Sequence, residues 1–100
     1  MIPETRIDID GDTYVLSFDM WAFKELKRET GKDMLAGENM EGVDDVVALF
    51  WAALLRNHPD ITIEKTAHLI HPGNLQELVD KLTELTGQAF SEPEGDEVKN

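Results

Sequence analysis

DDVVALFWAALLRNHPD, residues 44–60, holds ten apolar side chains in succession, Val46 to Leu55, in a chain otherwise rich in acids. A bilayer-spanning helix needs about 20 apolar residues, so this run has the length of a buried core helix. Asp44 and Asp45 precede it and Arg56, Asn57 and His58 follow it, the polarity that the helix dipole favours. The segment reads as one helix stopped by Pro59. At about 100° per residue, Val43, Val46, Val47, Phe50, Trp51, Leu54 and Leu55 fall on one half. Ala48, Ala52 and Ala53 fall on the other with Leu49. The bulky half calls for a deep core, and the alanine side leaves room for another element, from this chain or from a partner.

One hundred residues suffice for one small domain, and an apolar fraction of 41% with two Trp argues for a folded chain. With 21 acids against 9 Lys and Arg, the formal charge of −12 repels phosphate backbones and anionic lipid. Direct nucleic-acid or membrane binding is not expected. There is no Cys, which suits a reducing compartment, and MIPETRIDID has no apolar segment resembling a secretory signal.

Outward from the central helix, TRIDIDGDTYVL (5–16) alternates apolar and polar residues around Asp10-Gly11, a dipeptide suited to a tight hairpin turn. A two-residue loop pairs Ile9 with Asp12 and a four-residue loop pairs Ile9 with Tyr14. Either register puts Ile7, Ile9, Tyr14 and Leu16 on one face, which must pack on helices. A free hairpin edge would also accept a strand from a second copy, a route to a homo-oligomer. Ser17 or Asp19 can cap a helix over roughly residues 19–30, closed by Gly31. Phe18, Trp21, Ala22 and Leu26 are its core side, and Met20 and Phe23 fall outside that stripe. KDMLAGENMEG (32–42) reads as a loop with two adaptable methionines, Met34 and Met40, and room for one short helical turn. Thr62 caps a short helix with Ile63, Ala67 and Ile70 at helical spacing, closed by Pro72-Gly73. Asn74 and Glu77 have capping-box spacing, and Leu75, Leu78, Val79, Leu82 and Leu85 form the stripe of a last helix that Ala89 and Phe90 extend. The sum is a mainly helical α+β domain over 1–90, with a hairpin packed on about four helices and a disordered acidic tail over 91–100.

Motifs for chemistry are sparse. Asp8, Asp10 and Asp12 imitate the start of a calcium loop, but its sixth position, which calls for Gly, is Thr13. His58, His68 and His71 lack a zinc spacing. Without Cys, a G-x-S-x-G turn or a phosphate-cradling loop, the chain reads as a protein that works by binding, with no catalytic, cofactor or metal residues.

VLSFDMWAFKELKRETGKDML (15–35), VVALFWAALLRNHPDITIEKTAHLI (46–70) and the last amphipathic helix together resemble the tail assembly chaperones of long-tailed bacteriophages, which also have relatives in gene transfer agents. The resemblance covers most of residues 5–90. It rests on the helix ending in Glu29-Thr30-Gly31-Lys32, the Trp51-to-Leu54 segment, and the turn from His58 to Glu64. It implies a non-enzymatic protein that holds the tape measure protein during tail assembly, helps recruit tail-tube protein, acts in the host bacterial cytoplasm and is absent from the mature virion. A chaperone of this kind needs an exposed apolar strip or groove. The candidates for it are Met20, Phe23, Met34, Met40, Ala48, Phe50, Trp51 and Ala52, although Phe50 and Trp51 also lie on the half that a core would claim. Two other readings remain open: a head-tail joining or completion protein, and a small acidic regulatory or inhibitor protein.

Overall fold

The computed structural model describes residues 2–89; Phe90 and the expected disordered tail lie outside them. Strands β1 (Glu4–Ile9) and β2 (Asp12–Ser17) form an antiparallel hairpin, followed by α1 (Met20–Thr30), a 3-10 turn at Met34–Ala36, α2 (Gly42–Leu54), α3 (Ile63–Leu69) and α4 (Leu75–Ala89). This is the mainly helical α+β architecture that the sequence patterns imply.

The hairpin takes the two-residue loop. Ile9 pairs with Asp12 and Ile7 with Tyr14, while Asp10 (φ 52°) and Gly11 (φ 90°) both adopt left-handed conformations. Such a turn matches the natural twist of its strands. Asp8 pairs with Thr13, whose hydroxyl donates to the Asp8 carboxylate at 2.6 Å. The apparent calcium motif is therefore a hairpin with one carboxylate engaged across the strands. Ile7, Ile9 and Leu16 are buried and Tyr14 half-buried, with β1 lying against α4 and β2 against α2.

Asp19 caps α1 by accepting from the Ala22 amide at 2.9 Å, and Gly31 ends the helix with φ 76°. Ala22 and Leu26 are buried as expected, but Trp21 is 45% exposed. Phe23 takes the inner position instead, its ring centroid 5.2 Å from that of Phe18. Phe18 is buried just before the helix, so the ring that meets it is anchored from the strand side.

Helix α2 is the axis of the core and ends at Leu54, before Pro59. The backbone turns at 55–57, with the Asn57 and His58 amides both donating to the Leu54 carbonyl. Two tethers fix this turn. The Asn57 side-chain amide donates to the Val15 carbonyl and the Ser17 hydroxyl, and Arg56 meets Asp19 at 3.0 Å. His58 precedes proline, where helical geometry is disfavoured.

The alanine side of α2 receives another element of this chain, and the bulky half is core only toward its C-terminal end, at Phe50, Leu54 and Leu55. Ala48, Ala52 and Ala53 are buried, with Ala52 and Ala53 at 0% exposure. Their small side chains admit α1, the helix that α2 contacts most extensively. Asp45, on the same side, meets Lys32 just beyond the end of α1. The valine stripe instead runs out of the core: Leu54 and Phe50 are fully buried, Val46 and Val47 half-buried, and Val43 is 78% exposed. The C-terminal part of α2 is wrapped on all sides, and the N-terminal part is covered on one.

Beyond α2, the Trp51 indole donates to the Ile61 carbonyl at 3.1 Å and pins the connection into α3. Thr62 caps α3 as expected, accepting from the Lys65 amide. The residue that α3 buries is Thr66, whose hydroxyl is satisfied by the Thr62 carbonyl; Ala67 is exposed and Ile63 and Ile70 are half-buried. Asn74 does not form the expected capping box. Its side chain turns back, accepting from the His71 amide and donating to the Leu69 carbonyl, and so closes the loop between α3 and α4. On α4, Leu78, Leu82 and Leu85 are buried, each contributing about 1.5–3 kcal/mol by leaving water, whereas Leu75 and Val79 stay exposed on one flank of the stripe.

Candidate functional site

The exposed ends of two apolar stripes meet. Val43, Val46 and Val47 of α2 face Leu75 and Val79 of α4 across a depression of about 510 Å³, whose end is formed by Ile70, His71 and Pro72. The two helices run in the same direction, since Val79 lies near Val46 at one end and Gln88 near Arg56 at the other. They close around the core at Leu54 and Leu85 and leave their N-terminal halves uncovered.

Two further depressions continue this one. Through Val46 and Val79 it joins a hollow of about 310 Å³ lined by Met34, Met40, Leu49 and Leu82, with Glu38 at its edge. Through Val43 and Val47 it joins another of about 510 Å³, bordered by Glu29, Asp44, Asp45 and Glu64. The three adjoin one another as a groove around the N-terminal half of α2, with carboxylates among the lining of two of them.

A salt bridge holds one wall. Lys32, in the loop after α1, donates to the Asp45 carboxylate at 2.5 Å, and the same oxygen accepts from the Glu41 amide at 2.7 Å. The Lys32 hydrogen bond, followed by that from the Glu41 backbone, holds the Asp45 carboxyl below its ordinary range. The hydrogen bond to Asp45 raises the Lys32 ammonium, against a smaller opposing effect of desolvation. Asp45 thus secures the start of α2 and the methionine-bearing loop to each other.

The structure sorts the eight candidate residues. Met34 and Met40 are half-buried and line the groove together. Met20 is 67% exposed on α1 and Phe23 is packed against Phe18; neither lines the groove. Trp51 is half-buried with its indole engaged at Ile61. Ala48, Phe50 and Ala52 must be corrected from surface to core, at 4%, 0% and 0% exposure, because α1 closes on the alanine side and the converging elements enclose Phe50. Ala48 touches the groove only as a nearly covered wall.

Sequence reasoning missed Val43, Val46, Val47, Leu75 and Val79 as groove residues. A signal for the α4 pair was present. At about 100° per residue, Leu78, Leu82 and Leu85 cluster on one arc, and Leu75 and Val79 lie to one side of it, widening the stripe beyond what one neighbour covers. For α2 there was none, because apolar residues occupy its whole circumference.

No protein-family model matches the chain, and neither a curated protein nor a solved structure matches it. Among the described residues, no helix is long and apolar enough to cross a membrane, and no group of three or more His, Asp or Glu is placed to hold a metal ion.

Proposed function

We propose that the protein is a non-enzymatic tail assembly chaperone that holds apolar helical segments of a phage tape measure protein in this groove and helps recruit tail-tube subunits. The observation that carries the reading is the groove itself. Val43, Leu75 and Val79 leave apolar surface in water at 78%, 42% and 36% exposure, in line with a core that could have covered them. Contiguous apolar surface of this kind marks sites of protein association. Met34 and Met40 add side chains that adapt to varied segments. The formal charge of −12 keeps a protein with such a surface dispersed. The sequence resemblance over residues 15–35 and 46–70 supplies the substrate class, the host cytoplasm as the place of action, and absence from the finished virion.

The test is co-expression with fragments of the tape measure protein of the same phage, followed by affinity capture and light scattering. Soluble complexes with several copies per fragment are expected, and Val43→Gln with Val79→Gln should abolish them while the chain stays folded. If every fragment stays insoluble or unbound and the chain runs as an inert monomer, the reading is wrong. Recovery of the chain in purified virions would replace it with a head-tail joining or completion role.

A further inference from the structure

The groove is built for one chemical class of occupant. Most of its lining comes from helices, whose backbone groups are already paired, so an extended peptide laid in it would find few partners for its own amides and carbonyls. A helix satisfies its backbone internally and presents only side chains. The lining of α4 from Leu75 to Thr86 extends for about 16 Å, the length of about three helical turns.

Charge narrows the choice further. Glu29, Asp44 and Glu64 line one of the three adjoining depressions and Glu38 another, and among the described residues no Lys or Arg lines any of them. Lys32 pairs with Asp45 and lies close enough to Glu38 for the two charges to interact, and His68 stands 4.0 Å from Glu64, while Glu29 and Asp44 have no Lys or Arg within ion-pair distance among the described residues. Asp44 and Glu64 stand in first helical turns, where the dipole favours a carboxylate. That accounts for these two acids and not for Glu29, in the last turn of α1, or Glu38, in the loop before α2. In a second copy the exposed side of α4 brings Glu77, Asp80 and Glu84 toward the same acids, whereas α1, with exposed Met20 and Trp21 beside Lys24, Lys27 and Arg28, offers the cations, so the two occupants are told apart by light scattering.

We infer that the groove selects an amphipathic helix of about three turns whose apolar stripe is flanked by Lys or Arg. The inference rests on the chaperone reading and specifies which segments of the tape measure protein are held. The apolar stripe supplies affinity, and the basic flanks supply selection and faster encounter.

Three synthetic helical peptides with one shared Leu/Ile stripe, carrying Lys, Gln or Glu beside it, are titrated against the full chain by fluorescence anisotropy. The Lys peptide is expected to bind about tenfold tighter than the Gln peptide, and the Glu peptide weaker than both. Raising the salt should shrink these differences. The combined variant Glu29→Gln, Asp44→Asn, Glu64→Gln should erase the preference while retaining the Gln peptide. Equal affinity for all three peptides overturns the charge selection and leaves the groove as a helix site. Binding of the Lys peptide that survives Val43→Gln with Val79→Gln overturns the inference, since attraction would then be general to the acidic surface. Failure of all three to bind overturns both the inference and the chaperone reading. Light scattering that shows a dimer dispersed by the same two groove substitutions assigns the groove to a second copy and overturns the inference.

Discussion

Replacing Ala52 by Leu is the most direct test of how α2 is seated. Ala52 is at 0% exposure, on the side of the helix where α1 approaches. Exchanging its methyl for an isobutyl group leaves no direction in which the added carbons can reach solvent. Overpacking of this kind costs about 1–3 kcal/mol. At a midrange cost of about 2 kcal/mol, a domain of this size should lose about 8–16 °C in Tm. Urea unfolding followed by tryptophan fluorescence reads the change as a lower midpoint with an unchanged slope. Val43→Leu in the same helix is the control. At 78% exposure that side chain should shift stability by no more than about 0.5 kcal/mol. If Ala52→Leu unfolded at the wild-type midpoint, the alanine side would face solvent and the seating of α2 described above would be wrong.

The salt bridge between Lys32 and Asp45 predicts a defined acid limb. Because the folded carboxyl titrates below its unfolded value, its contribution is fully present above the ordinary carboxylate range and is lost as pH falls through the depressed folded value. Asp45→Asn should therefore be less stable than wild type near neutrality, with the gap closing in acid; a gap that persists at low pH would exclude the ionic origin. Asn57→Ala removes the donor to Val15 and Ser17 and should cost about 0.5–1.5 kcal/mol, with faster amide exchange concentrated in β2; uniform exchange across the chain would count against the tether. His58 packs its ring 5.5 Å from that of Tyr14 and leaves Nε2 buried without a hydrogen-bond partner. His58→Phe keeps the ring contact and removes the unsatisfied atom, so chemical denaturation should show a gain of about 1 kcal/mol, and a loss of that size would mean the nitrogen is satisfied in solution.

The hairpin and the limits of α1 were legible because local chemistry determines them. Asp10-Gly11 can take the two left-handed conformations of the turn, and strict alternation puts Ile7, Ile9 and Leu16 on one side in any register. Asp19 and Gly31 mark the ends of α1 by hydrogen bonding and φ, with no help from distant residues. The seating of α2 was not legible, since a helix apolar on every side carries no direction in its sequence. Which side is covered depends on where α1 and α4 arrive, and that is decided by residues far along the chain. Trp21 and Phe23 exchanged roles for a related reason: the position of Phe18 at the end of the strand selects which ring is drawn inward. Asn74 was misread because its side chain can serve either the helix it precedes or the loop it leaves, and the sharp turn at Pro72-Gly73 places it against the loop. Of the proposed binding surface, Met34 and Met40 were visible as adaptable loop residues, while the valines and Leu75 look in sequence like ordinary core.

Within α2, the side chains that hold the molecule together and those left open to a partner in the proposed reading follow one another along a single stripe, Leu54 and Phe50 first, then Val47, Val46 and Val43. Folding and recognition can therefore change independently. On the proposed function, substitution at Val43, Leu75 or Val79 alters what the groove accepts while the residues beneath the hairpin stay as they are, so such a protein can follow a drifting partner through a few exposed positions. A library confined to those sites is a short route to versions of the chain that grip a chosen helix.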